Sequence, residues 1–117
     1  MTRVINLKTL LILALIVLLA YLAIIPEVAD LPKLPQTDHA QSAHQNQKWN
    51  TAAIVTAMSG GNCGTVSIYA CSDDTLIYTC QSPTDPKKLL GLVVGQTNNQ
   101  IITGYASRAS HWNSKIK

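Results

Sequence analysis

The chain has 117 residues, a formal net charge of +3 at pH 7 and 5% aromatic residues, with no phenylalanine. Its length leaves room for one small domain once a terminal apolar segment is set aside. From position 36 onward the chain has six basic and four acidic residues. This excess of positive charge is smaller than dedicated nucleic-acid-binding proteins usually carry.

An apolar run lies near the N-terminus. Residues 9–25, TLLILALIVLLAYLAII, contain no charged side chain, and as a helix they would span roughly 25 Å. The run therefore predicts a transmembrane anchor in contact with a lipid bilayer. Arg3 and Lys8 also fit the start of a cleaved signal peptide, but no small-x-small cleavage site follows the run, so we expect the anchor to stay uncleaved.

Basic residues on either side of the run indicate its orientation. Arg3 and Lys8 precede it, whereas Lys33 follows it and comes after two acidic residues. Because basic residues concentrate on the cytoplasmic side, residues 1–8 are expected in the cytoplasm and the C-terminal domain outside. The sequence thus predicts a single-pass protein of the inner (plasma) membrane.

Three prolines mark the next segment. Residues 26–37, PEVADLPKLPQT, combine these prolines with polar side chains, and proline both interrupts helices and favours extended backbone. We expect a short, stiff stalk here, followed by the domain itself over residues 38–117.

A helical region opens the domain. Asp38 can cap a helix that begins at His39, and apolar side chains then recur at helical spacing until a Gly-Gly pair. The stripe consists of Trp49, Ala53 and Ala57. Residues 39–59 are predicted to form one long helix, or two short ones with a break near Asn50.

Four β-rich segments follow Gly61, namely VSIYAC, TLIYTC, LLGLVVG and QIITGYA. Turn-forming residues separate them, and this pattern predicts a four-stranded antiparallel sheet. The expected fold class is therefore α+β, with an N-terminal transmembrane helix, a Pro-containing stalk, one or two helices and then the sheet.

The first hairpin has a definite predicted register. A two-residue loop at Asp73 and Asp74 would pair Ser72 with Thr75. That register places Tyr69 directly opposite Tyr78, as a stabilising cross-strand contact.

Three cysteines, Cys63, Cys71 and Cys80, permit one disulfide and leave one thiol over. The predicted register puts all three on one face of the first hairpin with none directly opposite another, so the pairing stays open. No C-x-x-C pair occurs, and we expect neither a metal site nor a cofactor.

Several short motifs over residues 38–107 belong together. They are a histidine in the first helical segment (His39 in DHA, or His44), the helix end AAIVTAMSGG, the strands VSIYAC, LIYTC and LLGLVV, and the final IITGY. In this order they resemble the DUF4258-like domains of the BECR class, which includes barnase-like and RelE-like ribonucleases. The resemblance implies that the first-helix histidine faces Thr103 and Tyr105 across a cleft. Such domains commonly carry an arginine soon after that histidine, where this chain has Lys48.

RNA cleavage by side chains needs a base, an acid and a donor for the phosphate. Imidazoles exchange protons near neutral pH, hydroxyls donate hydrogen bonds, and a guanidinium grips phosphate with two N–H groups. The candidate catalytic residues are His39, His44, Thr103, Tyr105 and Arg108. His111 and Trp112 are candidate binding residues, although the stretch from Arg108 onward also fits a frayed C-terminal tail.

Two functions remain open. The anchor, the stalk and the low charge favour a non-catalytic interaction module of the bacterial envelope or of a mobile element, with an unidentified protein partner. The resemblance favours a metal-independent ribonuclease, or a degenerate relative of one, that acts on RNA. The second function requires His39 or His44 to share a hollow with Thr103, Tyr105 and Arg108.

Overall fold

The computed structural model of the chain describes residues 7–22 and 26–116. The helices are α1 (Leu7–Leu22), α2 (Asp38–Ser42), α3 (Thr51–Ser59) and α4 (Ala109–Lys115), and a 3-10 helix spans Val28–Lys33. The strands are β1 (Ser67–Ala70), β2 (Thr75–Gln81), β3 (Lys88–Gly95) and β4 (Gln100–Arg108). The strands form an antiparallel sheet in the order β1-β2-β3-β4. The α+β class and the four-stranded sheet are thus as the sequence predicts.

The predicted transmembrane helix is wrong. Helix α1 has 16 residues, which at about 1.5 Å per residue is shorter than the roughly 30 Å of a bilayer's hydrocarbon core. Within residues 7–22 and 26–116, no helix has the length and apolar character needed to cross a membrane. The single-pass topology and the inner-membrane location were predicted from that helix, and they are wrong for the same reason. Residues 1–6 and 23–25, which belong to the predicted cytoplasmic end and anchor, lie outside the described residues.

The segment expected to be a stalk is instead part of the domain. Its 3-10 helix buries Leu31 completely in the core, and the tighter 3-10 turn accommodates Pro32. The chain then lies along the edge of β4, where the N–H of Thr37 donates to the Ile101 carbonyl at 3.0 Å. Burial of one leucine and these backbone hydrogen bonds outweigh the extended preference of the prolines.

Two short helices, rather than one long helix, precede the sheet. Thr37, not Asp38, caps α2, because its hydroxyl oxygen accepts the N–H of Ala40 at 3.1 Å. Asn50 caps α3 by accepting the N–H of Ala53 at 2.9 Å. The break predicted near Asn50 is present, but it spans residues 43–50 and so shortens the first helix to five residues.

The main core lies between α3, the 3-10 helix and one face of the sheet. Its largest buried members are apolar side chains from all of these elements, together with one tyrosine. They are Leu31, Ile54, Met58, Leu76, Tyr78, Leu90, Leu92, Val94 and Ile101. Burial raises the pKa of Tyr78 to about 12, and its hydroxyl donates to the Pro26 carbonyl at 2.5 Å.

The first hairpin is shifted by one residue from its predicted register. Tyr69 lies opposite Ile77, and Tyr78 lies opposite Ile68. The loop has three residues, 72–74, because Asp74 adopts a φ of 65° that lets the chain turn one residue later. A one-residue shift exchanges the faces of a strand, so Tyr69 and Tyr78 lie on opposite faces and make no cross-strand pair.

The same shift separates the cysteines. Cys63, in the loop before β1, forms a disulfide with Cys80 of β2. Cys71 is the free thiol, and the corrected register places it on the opposite face from Cys80. The structure thus has the expected one disulfide and one free thiol. The three cysteines do not lie on one face of the hairpin as predicted.

The C-terminal stretch is a helix and not a frayed tail. Helix α4 packs on the sheet face opposite the main core, where Trp112 is completely buried. The indole N–H of Trp112 donates to the Leu89 carbonyl at 3.2 Å. An isolated helix of seven residues is unstable in water, so this tryptophan anchor accounts for the helix.

Candidate active site

Tyr105 lies at the centre of a group of four rings. It sits on β4, an edge strand, on the face that carries α4, and its cross-strand neighbour is Gly91. Because Gly91 has no side chain, the indole of Trp112 occupies the space above it. The phenol of Tyr105 stacks on that indole, with ring centroids 4.6 Å apart and planes inclined by 27°.

His111 approaches Tyr105 from the first turn of α4. The Tyr105 hydroxyl and His111 Nε2 are 2.5 Å apart and share a hydrogen bond whose donor depends on the imidazole tautomer. The imidazole also meets Trp112 edge to face, with a centroid distance of 5.4 Å. The indole and the phenol therefore fix the position of this imidazole.

His44 approaches Tyr105 from the connection between α2 and α3. Its ring centroid lies 5.1 Å from that of Tyr105. The backbone of His44 has a φ of 59°, a left-handed conformation that is uncommon outside glycine but that Asn, Asp and His adopt more often than other residues. A hydrogen bond from the Gln47 N–H to the His44 carbonyl, 3.0 Å long, closes the turn. The turn thus holds a second imidazole against the same phenol.

Thr103 lies two residues before Tyr105 and faces the same side of β4. Its hydroxyl oxygen is buried and has no hydrogen-bond partner among the residues that the structure describes. A buried hydroxyl without a partner is unusual in a folded protein. Because this oxygen is buried, it is out of reach of a ligand bound at the surface of the ring group.

The structure assembles only part of the predicted site. It brings together His44, Tyr105 and His111. His39 is an exposed residue of α2, and the ring contacts at Tyr105 come from His44 instead. Arg108 is exposed and lies opposite Lys88 of β3, and strand alternation directs it to the face opposite Tyr105.

His111 has a different place from the one the sequence suggests. The sequence predicts a binding residue, whereas in the structure His111 shares a hydrogen bond with Tyr105, the predicted catalytic tyrosine. The available signal is the spacing: Tyr105 ends the apolar pattern of β4, and His111 follows six residues later with Trp112 beside it. A helix that folds back over the strand is needed to turn that spacing into a contact.

Within residues 7–22 and 26–116, no three His, Cys, Asp or Glu side chains converge in a way that could hold a metal ion. Two imidazoles and a phenolic hydroxyl can accept, hold and donate protons at one place.

Comparison of the chain with known protein families, with curated proteins and with solved structures found no match. The resemblance to DUF4258-like domains remains a hypothesis that rests on the short motifs alone.

Proposed function

We propose that this domain cleaves RNA by acid–base catalysis at the group formed by His44, Tyr105 and His111. The observation that carries the proposal is that two imidazoles, held by different elements, contact one phenol. Paired proton acceptors and donors at fixed positions are what cleavage at a ribose 2′-hydroxyl requires.

In the proposed reaction, His44 takes the proton of the 2′-hydroxyl. The 2′-oxygen attacks the adjacent phosphorus, and the bond from phosphorus to the 5′-oxygen breaks. The Tyr105 hydroxyl gives its proton to the departing 5′-oxygen, and His111, which enters the reaction as the imidazolium, replaces that proton through its hydrogen bond to Tyr105. His44 therefore ends the step protonated and His111 ends it neutral. The products are a 2′,3′-cyclic phosphate and a free 5′-hydroxyl.

Thr103 lies on the same face of β4 as Tyr105, but its hydroxyl is buried and takes no part in the proposed reaction. Trp112 and Gly91 act as positioning residues, because they set where the phenol and the second imidazole lie.

The test is cleavage of a short single-stranded RNA by the full chain in the presence of EDTA. We expect products that end in a 2′,3′-cyclic phosphate, and a single 2′-deoxy substitution should block cleavage only at the linkage that follows it. Absence of cleavage by a folded chain would overturn the proposal.

Variants at His44 sharpen the test. His44→Asn removes the imidazole while keeping a residue that tolerates positive φ, so the turn is preserved. The expected loss is about 10²-fold or more in rate, since a positioned base contributes roughly 10²–10⁴-fold. His39→Asn is the matched control on the exposed α2 surface and should cleave as the wild type does.

The non-catalytic interaction module is a second candidate, and strand β1 favours it. All four residues of β1 are exposed, and Ile68 and Tyr69 each keep 40% of their surface accessible. As an edge strand, β1 offers backbone N–H and C=O groups to a partner strand. This candidate predicts that Ile68→Lys abolishes capture of a protein partner while Tyr105→Phe leaves capture intact. Equal capture by both variants would count against it.

A further inference from the structure

A cavity of about 260 Å³ opens on the sheet face opposite the ring group. It lies between the connection that leads from α2 to α3 and the loop that joins β2 to β3. Its lining includes an indole, two lysines, one carboxylate and several small or hydroxyl-bearing residues. Lys48, Trp49, Thr84, Asp85, Lys88 and Ala106 are among the lining residues.

Trp49 provides a flat wall for this cavity. One part of its ring packs against the main core, and its indole N–H donates to the Thr84 hydroxyl at 3.1 Å. The hydrogen bond fixes the orientation of the ring without filling the cavity. A fixed, partly accessible indole is a stacking surface for an aromatic base.

The cavity is also cationic. Lys48 and Lys88 line it, and Arg108 lies directly opposite Lys88 across β3 and β4. In the described part of the chain, the ion pair found is Lys33 with Asp30, so these three cations lack a carboxylate partner. Asp85 is the one acid in the lining, and its Oδ1 already accepts the N–H of Lys87 at 3.0 Å.

The cavity and the ring group adjoin at one point of the edge strand. Ala106 lines the cavity, and its neighbour Tyr105 carries the ring group on the other face. His44 and Trp49 likewise belong to the same short connection. An extended polymer that crosses the edge of β4 at Tyr105 and Ala106 would therefore contact both the cavity and the ring group within a few of its units.

We propose that this cavity binds one nucleotide of single-stranded RNA, with the base on Trp49 and a phosphate at Lys48 and Lys88. The flat indole and the unpaired cations specify an aromatic base joined to a phosphate. The choice of RNA, and the place of this nucleotide beside the cleaved linkage, rest on the proposed function.

Binding is tested apart from cleavage by titrating the full chain with an all-deoxy single-stranded oligonucleotide, which has no 2′-hydroxyl to be attacked. Tryptophan fluorescence is the readout, because Trp112 is completely buried and quenching therefore reports on Trp49. Two lysine–phosphate contacts predict a slope of about −1.4 for log binding constant against log salt concentration. A salt-independent interaction would overturn the proposal.

Lysine variants provide matched controls. Lys88→Gln and Lys48→Gln should each weaken binding about tenfold and reduce the salt slope to about −0.7. Lys87→Gln is the control, because Lys87 is exposed and adjacent to Lys88 but lies outside the cavity lining. Equal binding by all three variants would overturn the proposal.

The two proposals fail separately. Binding that depends on Lys88, together with no cleavage of RNA, would keep the nucleotide site and overturn the catalytic proposal. Cleavage of RNA by a chain whose binding is unchanged by the Lys48 and Lys88 variants would keep the catalytic proposal and overturn the nucleotide site. Inorganic phosphate and an unphosphorylated nucleoside should each bind more weakly than the oligonucleotide, since each offers only one of the two recognised groups. If either matched the oligonucleotide, the proposal would be overturned.

Discussion

The Tyr105 hydroxyl and the Nε2 atom of His111 lie 2.5 Å apart, although one residue belongs to an edge strand and the other to the helix that follows it. The strand faces the helix here because Trp112 lies over Gly91. The hydrogen bond thus depends on a packing contact between Trp112 of α4 and Gly91 of β3, the strand that pairs with β4.

Removal of the Tyr105 hydroxyl should separate chemistry from packing. Tyr105→Phe keeps the ring stack on Trp112 but loses the proton donor, so we expect RNA cleavage to fall about 10²-fold. The free energy of unfolding should fall by no more than about 1 kcal/mol. Rates from single-turnover cleavage and stabilities from urea unfolding check both expectations. An unchanged rate would remove Tyr105 from the proposed mechanism.

Gly91 should tolerate no side chain. A Cβ at this position would lie 2.2 Å from the buried indole of Trp112, so Gly91→Ala must displace the tryptophan that anchors α4. We expect a loss of about 2–3 kcal/mol in the free energy of unfolding. The measurement is urea denaturation followed by tryptophan fluorescence.

Gly95→Ala is the matched control on the same strand. Its added Cβ would meet Ile102 at 3.5 Å, an ordinary contact, and we expect a change within about 1 kcal/mol. If both alanine variants behaved alike, the close packing of Trp112 on Gly91 would be contradicted. Gly91→Ala should also reduce RNA cleavage, because it moves the helix that carries His111.

The buried phenol of Tyr78 predicts a loss of stability at alkaline pH. Desolvation by burial raises its pKa to about 12 in the folded chain, from 10.0. Below pH 10 the Tyr78 phenol is protonated in both the folded and the unfolded chain, and its contribution to the free energy of unfolding is fully present. Between pH 10 and 12 the unfolded chain ionises first, so the wild type should lose about 1.4 kcal/mol per pH unit relative to Tyr78→Phe.

The Phe variant isolates this effect from other groups that titrate at the same pH. At neutral pH, Tyr78→Phe should be about 1 kcal/mol less stable than the wild type, since it loses the hydrogen bond to the Pro26 carbonyl. Tyr69→Phe, on the exposed strand β1, should follow the wild type throughout. A constant difference between wild type and Tyr78→Phe up to pH 12 would contradict the raised pKa.

The order of the strands follows from the sequence, whereas the register of the first hairpin does not. Apolar runs and turn residues locate the four strands, because periodicity and turn chemistry are local. The register depends on whether the turn takes two or three residues. Asp73 and Asp74 are compatible with both, and only the positive φ of Asp74 decides between them.

The site is predictable to a similar extent. Tyr105 and Thr103 share a face by strand alternation alone, and the motif comparison adds His44 as one of two histidines. The contact with His111 requires α4, whose short polar sequence carries little helical signal and whose formation depends on burial of Trp112. Arg108 could have been excluded from the sequence alone. It lies three residues after Tyr105 on the same strand, and an odd spacing places two strand residues on opposite faces.

The disulfide between Cys63 and Cys80 should supply a measurable part of the stability. It links the loop before β1 to β2 across a sequence separation of 17 residues, and a crosslink of that span stabilises by about 3 kcal/mol. The double variant Cys63→Ala/Cys80→Ala should lower the free energy of unfolding by that amount, as should reduction of the wild type. Cys71→Ser is the control and should change stability by less than about 0.5 kcal/mol, because the thiol of Cys71 makes a long 3.9 Å contact with the Lys115 carbonyl that a serine hydroxyl can also make. If the reducing agent destabilised the double variant as much as the wild type, the Cys63–Cys80 pairing would be contradicted.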